Sequence, residues 1–286
     1  MQKKKLLIAS DTFLPRWDGV SRFLAEVVPR LSMDYEVRLL VPDFNIKKIK
    51  VRNVEITAIP IYKFAIGDYN PPRLRPRKVK KLVKWADTIF TQTIGPIGAL
   101  TIIYAKRMKK PLYAYMHSIE WELVPKSIDK FKSFFSLLTK LIAKYLYNKC
   151  DDIMVPSEQI KKILSENGIK ADGKVIPLGV NANEFLPAEN KEEAKKKIGI
   201  SADSLIIGYV GRIGREKDLP TLYKAFRVLK ERYTNLKLLI VGPGLKLEDI
   251  FKDMEEVRDH IIYIESTNKA QDYYQAMDVF VLPSLT

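Results

Sequence analysis

Short, continuously apolar runs alternate with amphipathic helix-period segments along the whole of this chain, and few architectures satisfy that pattern. A strand that is apolar at every position has both faces buried. A parallel sheet with helices on each side provides that burial, whereas an antiparallel sheet with one wet face does not. The candidate strands are KLLIAS, EVRLLVP, VEITAIPI, DTIFTQT, PLYAYMHS, DDIMVPS and KVIPLGV, followed by LIIGYVG, LKLLIVG, HIIYIE and VFVLPS. The expected fold class is α/β throughout. The polar, charged stretch from Asn181 to Asp203 separates the two sets, giving a domain over 1–180, a crossover over 181–203 and a second domain over 204–286. Both halves follow a Rossmann-like plan, and no repeat of solenoid period is present.

At 47% hydrophobic and 29% charged residues, the chain holds enough apolar material for a sizeable core. Its single cysteine, Cys150, excludes an intrachain disulfide and suits a reducing compartment. No apolar run approaches the length that spans a bilayer, and Asp11 interrupts the N-terminal apolar stretch too early for a signal peptide. The expected location is the cytoplasm. Lys, Ile and Glu are plentiful while Gln and Cys are scarce, a bias compatible with a thermophilic source.

The charge is unevenly placed. Residues 1–180 hold 33 Lys and Arg against 17 Asp and Glu, an excess of 16, whereas residues 181–286 hold 16 against 17. Only the first half is built to meet an anionic surface. Two segments there stand out. Residues 71–85, PPRLRPRKVKKLVKW, carry Arg73, Arg75, Arg77, Lys78, Lys80, Lys81 and Lys84, and contact with an anionic membrane or acceptor is the expected role. Residues 126–149 place Phe131, Phe134, Phe135, Leu138, Leu141, Ile142 and Tyr145 on one helical face, with Lys140 and Lys144 opposite. For this second segment, a core-packing amphipathic helix is expected ahead of a membrane-interface one.

Chemistry concentrates in GYVGRIGREK, residues 208–217, which follows the apolar run LII and precedes the helical LPTLYKAFRVLKER. Amides at a strand-to-helix turn face outward, glycine lets an anion approach them, and the helix dipole adds favourable potential. Gly211 supplies the turn, and Arg212 and Lys217 supply the full positive charges a diphosphate requires. A plain βα turn with solvent-facing basic residues is the other reading. A second glycine turn, Gly242 and Gly244, follows the strand LKLLIVG.

These blocks, with DYYQAMDVFVLPS downstream and DTFLPRWDGVSRFLAEVVPRL and VIPLGVNANEF upstream, resemble in order the segments of the retaining, nucleotide-sugar-dependent glycosyltransferases of family four. The resemblance covers the whole chain. It implies the GT-B plan, two Rossmann-like domains with parallel sheets facing a cleft. The donor substrate it implies is a nucleotide-diphosphate sugar, with no further cofactor and no metal. Asp151 and Asp152 lack the oxygen array of a hard-cation site in any case. By resemblance, the loop of Asp18 and Gly19 closes over the donor diphosphate, although many members carry two glycines there; Asp18 also reads as a helix N-cap. His117, at the end of PLYAYMHS, matches a functional histidine that touches a sugar hydroxyl or a developing charge, with a satisfied, partly buried histidine as the other reading. His260 reads as a surface residue without a role, and Ser157 as a helix cap.

The function implied is transfer of a sugar to a lipid or saccharide acceptor with retention, possible also at the inner face of the cell membrane. The alternatives are a nucleotide-sugar epimerase of the same architecture and a basic nucleic-acid-binding protein. The first matches the WDGV and PLGVN segments less well, and the second explains the charge but not the glycine turns. The chain stops at PSLT, where the family continues into a Glu-x7-Glu element that holds the donor sugar. The second domain is therefore expected to be incomplete, and this chain alone to turn over negligibly.

Overall fold

A computed structural model describes residues 3–16, 18–46, 49–64, 70–123, 131–170, 173–267 and 269–285. Two compact units divide it, Met1–Leu178 and Gly179–Thr286. The first unit runs β1 (Lys4–Ala9), α1 (Gly19–Asp34), β2 (Tyr35–Pro42), β3 (Val54–Ile59), α2 (Pro76–Trp85), β4 (Thr88–Thr91), α3 (Pro96–Arg107), β5 (Leu112–Tyr115), α4 (Glu120–Leu123), α5 (Lys132–Tyr147), β6 (Asp152–Met154) and α6 (Glu158–Glu166). Its strands form one parallel sheet in the order β3-β2-β1-β4-β5-β6. The direction of winding reverses between β1 and β4, and ligands of doubly wound sheets sit at that reversal, beyond the strands' carboxyl ends.

The continuously apolar strands serve two cores because successive side chains point to opposite faces. Leu6 and Ile8 of β1 pack with Val37, Leu39, and Leu24 and Val28 of α1. Leu7 and Ala9 pack on the other face with Val79 and Val83 of α2, Ile97 and Ile102 of α3, and Ala143 and Leu146 of α5. KVIPLGV forms no strand: a lone bridge from Val175 to Val155 is all that pairs there, since Pro177 has no amide to donate to a ladder.

The second unit runs α7 (Lys191–Lys197), β7 (Leu205–Val210), a 3₁₀ turn (Arg215–Lys217), α8 (Leu219–Lys230), β8 (Leu236–Val241), α9 (Leu247–Ile250), a second 3₁₀ segment (Met254–His260), β9 (Ile261–Ile264), α10 (Ala270–Ala276) and β10 (Val279–Phe280). Its strands are parallel, in the order β10-β7-β8-β9. Leu238 and Ile240 face Leu222 and Phe226 of α8, while Leu239 and Val241 face Ala194, Ala276 and Met277. Helix α7 lies inside the stretch read from the sequence as a crossover. Its Lys195 is buried and ion-paired to Asp278 at 2.8 Å, with Nζ also donating to the Ser204 carbonyl at 2.7 Å.

Helix α5 departs furthest from expectation. The apolar face read as core-packing is turned outward: Phe134, Leu138, Leu141 and Tyr145 are 62, 40, 56 and 61% exposed. Ala143, Leu146 and Tyr147 are the buried residues of this helix, and Ser136, partly buried, donates to the Trp121 carbonyl at 2.8 Å. Residues 126–130 of the same segment lie outside the described residues.

Candidate functional site

In the first unit, chemistry gathers where the winding reverses. Asp11 follows β1 with its carboxylate turned into the amino end of α3, accepting from the amides of Ile97 at 2.7 Å and Gly98 at 3.0 Å and from the Thr93 hydroxyl at 2.7 Å. A side chain at Gly95 would meet that carboxylate at 2.6 Å, so glycine is required there. A helix start that would otherwise attract a ligand's phosphate is thus filled by the protein's own anion.

Asp18 caps α1, accepting from the Ser21 amide at 2.8 Å and from the Thr12 hydroxyl, with Arg16 Nε at 3.4 Å. The capping reading of the sequence therefore holds, and Asp18 brings a carboxylate to the helix start where the loop was expected to meet a diphosphate. Gly19 is exposed, and nothing lies within 4 Å of where its side chain would be. It is the open part of this loop.

His117 follows β5, half-buried, its ring 4.6 Å from Tyr115 and 4.9 Å edge-on from Phe23 of α1. Its Nε2 lies 3.0 Å from Gln92 Oε1. An amide oxygen only accepts, so Nε2 carries the proton and Nδ1 is left as the acceptor. Burial lowers the His117 pKa to about 4 despite the opposing pull of Asp18, leaving a neutral imidazole at physiological pH. Gln92 escaped notice in the sequence, where an amide after an apolar run carries no signal; it is buried, and its Nε2 has no partner among the described residues. Glu120, three residues beyond His117, accepts from the Tyr147 hydroxyl at 2.5 Å, and burial raises its carboxyl to about 7.

In the second unit, the turn after β7 and the turn after β8 zip together. The amides of Gly211 and Ile213 donate to Val241 and Pro243, that of Leu245 donates back to Ile213, and that of Gly242 donates to Ile264. The amides of Gly211 and Gly242 thus point inward to carbonyls, not outward as the sequence suggested. The glycines are there for close approach: side chains at Gly242 and Gly244, whose φ angles are +138° and +146°, would meet the carbonyl oxygens of Gly211 and Ile213 at 2.0 and 2.1 Å. The zipper fixes the backbone from which Arg212 projects, and the buried Tyr209 hydroxyl holds the Arg212 carbonyl at 2.7 Å. The Arg212 guanidinium meets Glu216 at 2.5 Å. That carboxylate also went unremarked in the sequence, although its spacing of four residues was a legible signal. Lys217 makes no ion pair among the described residues and sits in the turn just before α8. Among the described residues no three His, Cys, Asp or Glu side chains gather as a metal site.

Ser157 caps α6, accepting from the Ile160 amide at 3.3 Å, and burial pushes the Cys150 thiol up to about 12, so it is no nucleophile. His260, read from the sequence as a surface residue, is half-buried.

A doubly wound parallel sheet joined to a second parallel α/β unit with a glycine-zipped, basic turn defines a GT-B glycosyltransferase fold. The chain belongs to Glycosyltransferase Family 4, which matches residues 17–184, and Glycosyl transferases group 1 matches residues 190–286. It is similar to the alpha-monoglucosyldiacylglycerol synthase of Streptococcus pneumoniae, at 24% identity over 96% of this chain and 65% of that protein. The synthase of the same name from Acholeplasma laidlawii is 25% identical over 98% and 74%. The chain thus spans just under two thirds of the length of the first of these relatives. Among solved structures, Anabaena HepE in complex with UDP superposes with a TM-score of 0.72 at 15% identity, covering 99% of this chain and 74% of that one.

Proposed function

We propose that this chain supplies the nucleotide-diphosphate site for sugar transfer to a lipid or saccharide acceptor, with retained anomeric configuration and without a metal. The observation that carries the reading is the zipped turn of the second unit, which presents Arg212 and Lys217 from a rigid backbone ahead of α8. Membership of the family, the UDP held by HepE and the glycolipid-synthase names of two relatives support it.

In the reaction, the bond from the sugar's anomeric carbon to the diphosphate oxygen breaks, the electron pair leaving with the diphosphate. The acceptor hydroxyl bonds to that carbon on the same face and gives its proton to the leaving phosphate oxygen. Arg212 and Lys217 stabilise the charge that develops there, the role a metal plays elsewhere. The turn glycines Gly211, Gly242 and Gly244 keep that backbone in place. Gly19 leaves room for the diphosphate beside the Asp18 cap. His117, neutral and with Nδ1 free to accept, holds a sugar hydroxyl. The membrane or acceptor surface is met by the basic first unit, with the exposed Arg73, Arg75, Arg77, Lys80 and Lys81 among its cations.

Titration calorimetry with UDP tests the donor site. Arg212→Ala and Lys217→Ala should each weaken binding by about 1–3 kcal/mol, the worth of a charge-assisted contact. Wild-type affinity in both variants removes the site.

A further inference from the structure

Helix α5 is built inside out. Its inward stripe consists of Ser136, Thr139, Ala143, Leu146 and Tyr147, and the long apolar side chains from Phe134 to Tyr145 point the other way. Phe134, Leu137, Leu138, Leu141 and Tyr145 recur at spacings of three and four, a single stripe of about 17 Å at 1.5 Å per residue. Leu123, at the end of α4 against which α5 packs, is also exposed. A water-facing stripe of this size on one helix is an interaction surface.

Charge identifies the occupant. Helix α5 carries no acidic residue, its charged side chains being Lys132, Lys140 and Lys144, and Lys149 just beyond it lies 4.0 Å over the ring of Tyr145 in the stripe. Helix α2, which also lacks acidic residues, packs on the same face of the sheet and turns its Lys and Arg side chains to solvent. A second copy of this face would set lysines against lysines. An anionic bilayer satisfies both demands, taking the apolar stripe between its headgroups and the lysines onto its phosphates.

We propose that α5 is the surface by which this protein seats on an anionic lipid membrane, the apolar stripe from Phe134 to Tyr145 entering the interface. The proposal deepens the membrane contact suggested above and moves its anchor from the basic α2 to α5; α2 adds attraction at longer range. The helix lies in the interface rather than crossing it, and no helix among the described residues is long and apolar enough to span a bilayer.

The test is flotation of the whole chain with vesicles of phosphatidylcholine alone and with about a third phosphatidylglycerol. The wild type should bind the anionic vesicles about tenfold or more tightly than the neutral ones. The double variant Phe134→Ser, Leu141→Ser should lose about tenfold or more of that binding while keeping its melting temperature, because both side chains lie in water in the free protein. Three results overturn the proposal: no binding by the wild type, unchanged binding by the double variant, or light scattering that shows a wild-type dimer dissolved by the double substitution. Calorimetry with UDP on the same samples separates the two readings, since loss of nucleotide binding with vesicle binding intact counts against the donor site alone.

Discussion

At the scale of single residues, buried charge decides most. Asp11 has several donors aimed at it across the amino end of α3, so Asp11→Ala strands the Ile97 and Gly98 amides and should cost about 3 kcal/mol or more in urea unfolding. Asp11→Asn, which still accepts through one oxygen, should cost about half that. Two neighbours titrate with opposite sign. His117 has its pKa depressed from 6.5 to about 4, so the stability it permits is complete above 6.5 and is lost as pH falls toward 4. Glu120 has its pKa raised from 4.5 to about 7, so its contribution is complete below 4.5 and is lost as pH rises through 7. Glu120→Gln should therefore melt higher than wild type at about pH 8 and close to it at about pH 4, a comparison scanning calorimetry makes directly. In catalysis, His117→Ala should lower turnover by a larger factor than it lowers donor affinity, because its proposed contact strengthens as the sugar reacts. Equal losses in both would reduce His117 to a ground-state contact.

At the scale of elements, the parallel strands were legible because burial on both faces writes itself as an unbroken apolar run, as KLLIAS and LKLLIVG do. KVIPLGV shows the limit of that signal, since it is apolar enough for a strand but Pro177 interrupts the donors. Helix α5 shows another. Periodicity tells which residues share a face and is silent on the direction that face looks; only the small inward set of Ser136, Thr139 and Ala143 hinted that the helix could sit either way up. In the candidate site, Arg212 and Lys217 were readable from a basic turn between strand and helix, whereas Gln92 became visible only once β4 and β5 lay side by side. The glycine turns were found for a different reason than the one that makes them necessary. Gly242→Ala should consequently disturb folding before it disturbs nucleotide affinity, with a loss of stability of about 2 kcal/mol or more on chemical denaturation.

At the scale of the whole molecule, two units with separate cores should unfold in two calorimetric steps. Saturating UDP should move chiefly the step of the unit that carries Arg212, by about 2.7 kcal/mol when present at about 100 times its dissociation constant. A larger shift of the other step would give the main nucleotide contacts to the Gly19 loop of the first unit. The strand order carries a further consequence for how the chain is made. β1 leaves the ribosome before the other strands of its sheet and lies at its centre, between β2 and β4. Leu6 finds Val37 early but meets Thr88 only after 82 more residues have been synthesised. At about 5–20 residues per second, one edge of this central strand waits several seconds for its neighbour, so slowing translation ahead of Thr88 should favour aggregation of the nascent chain.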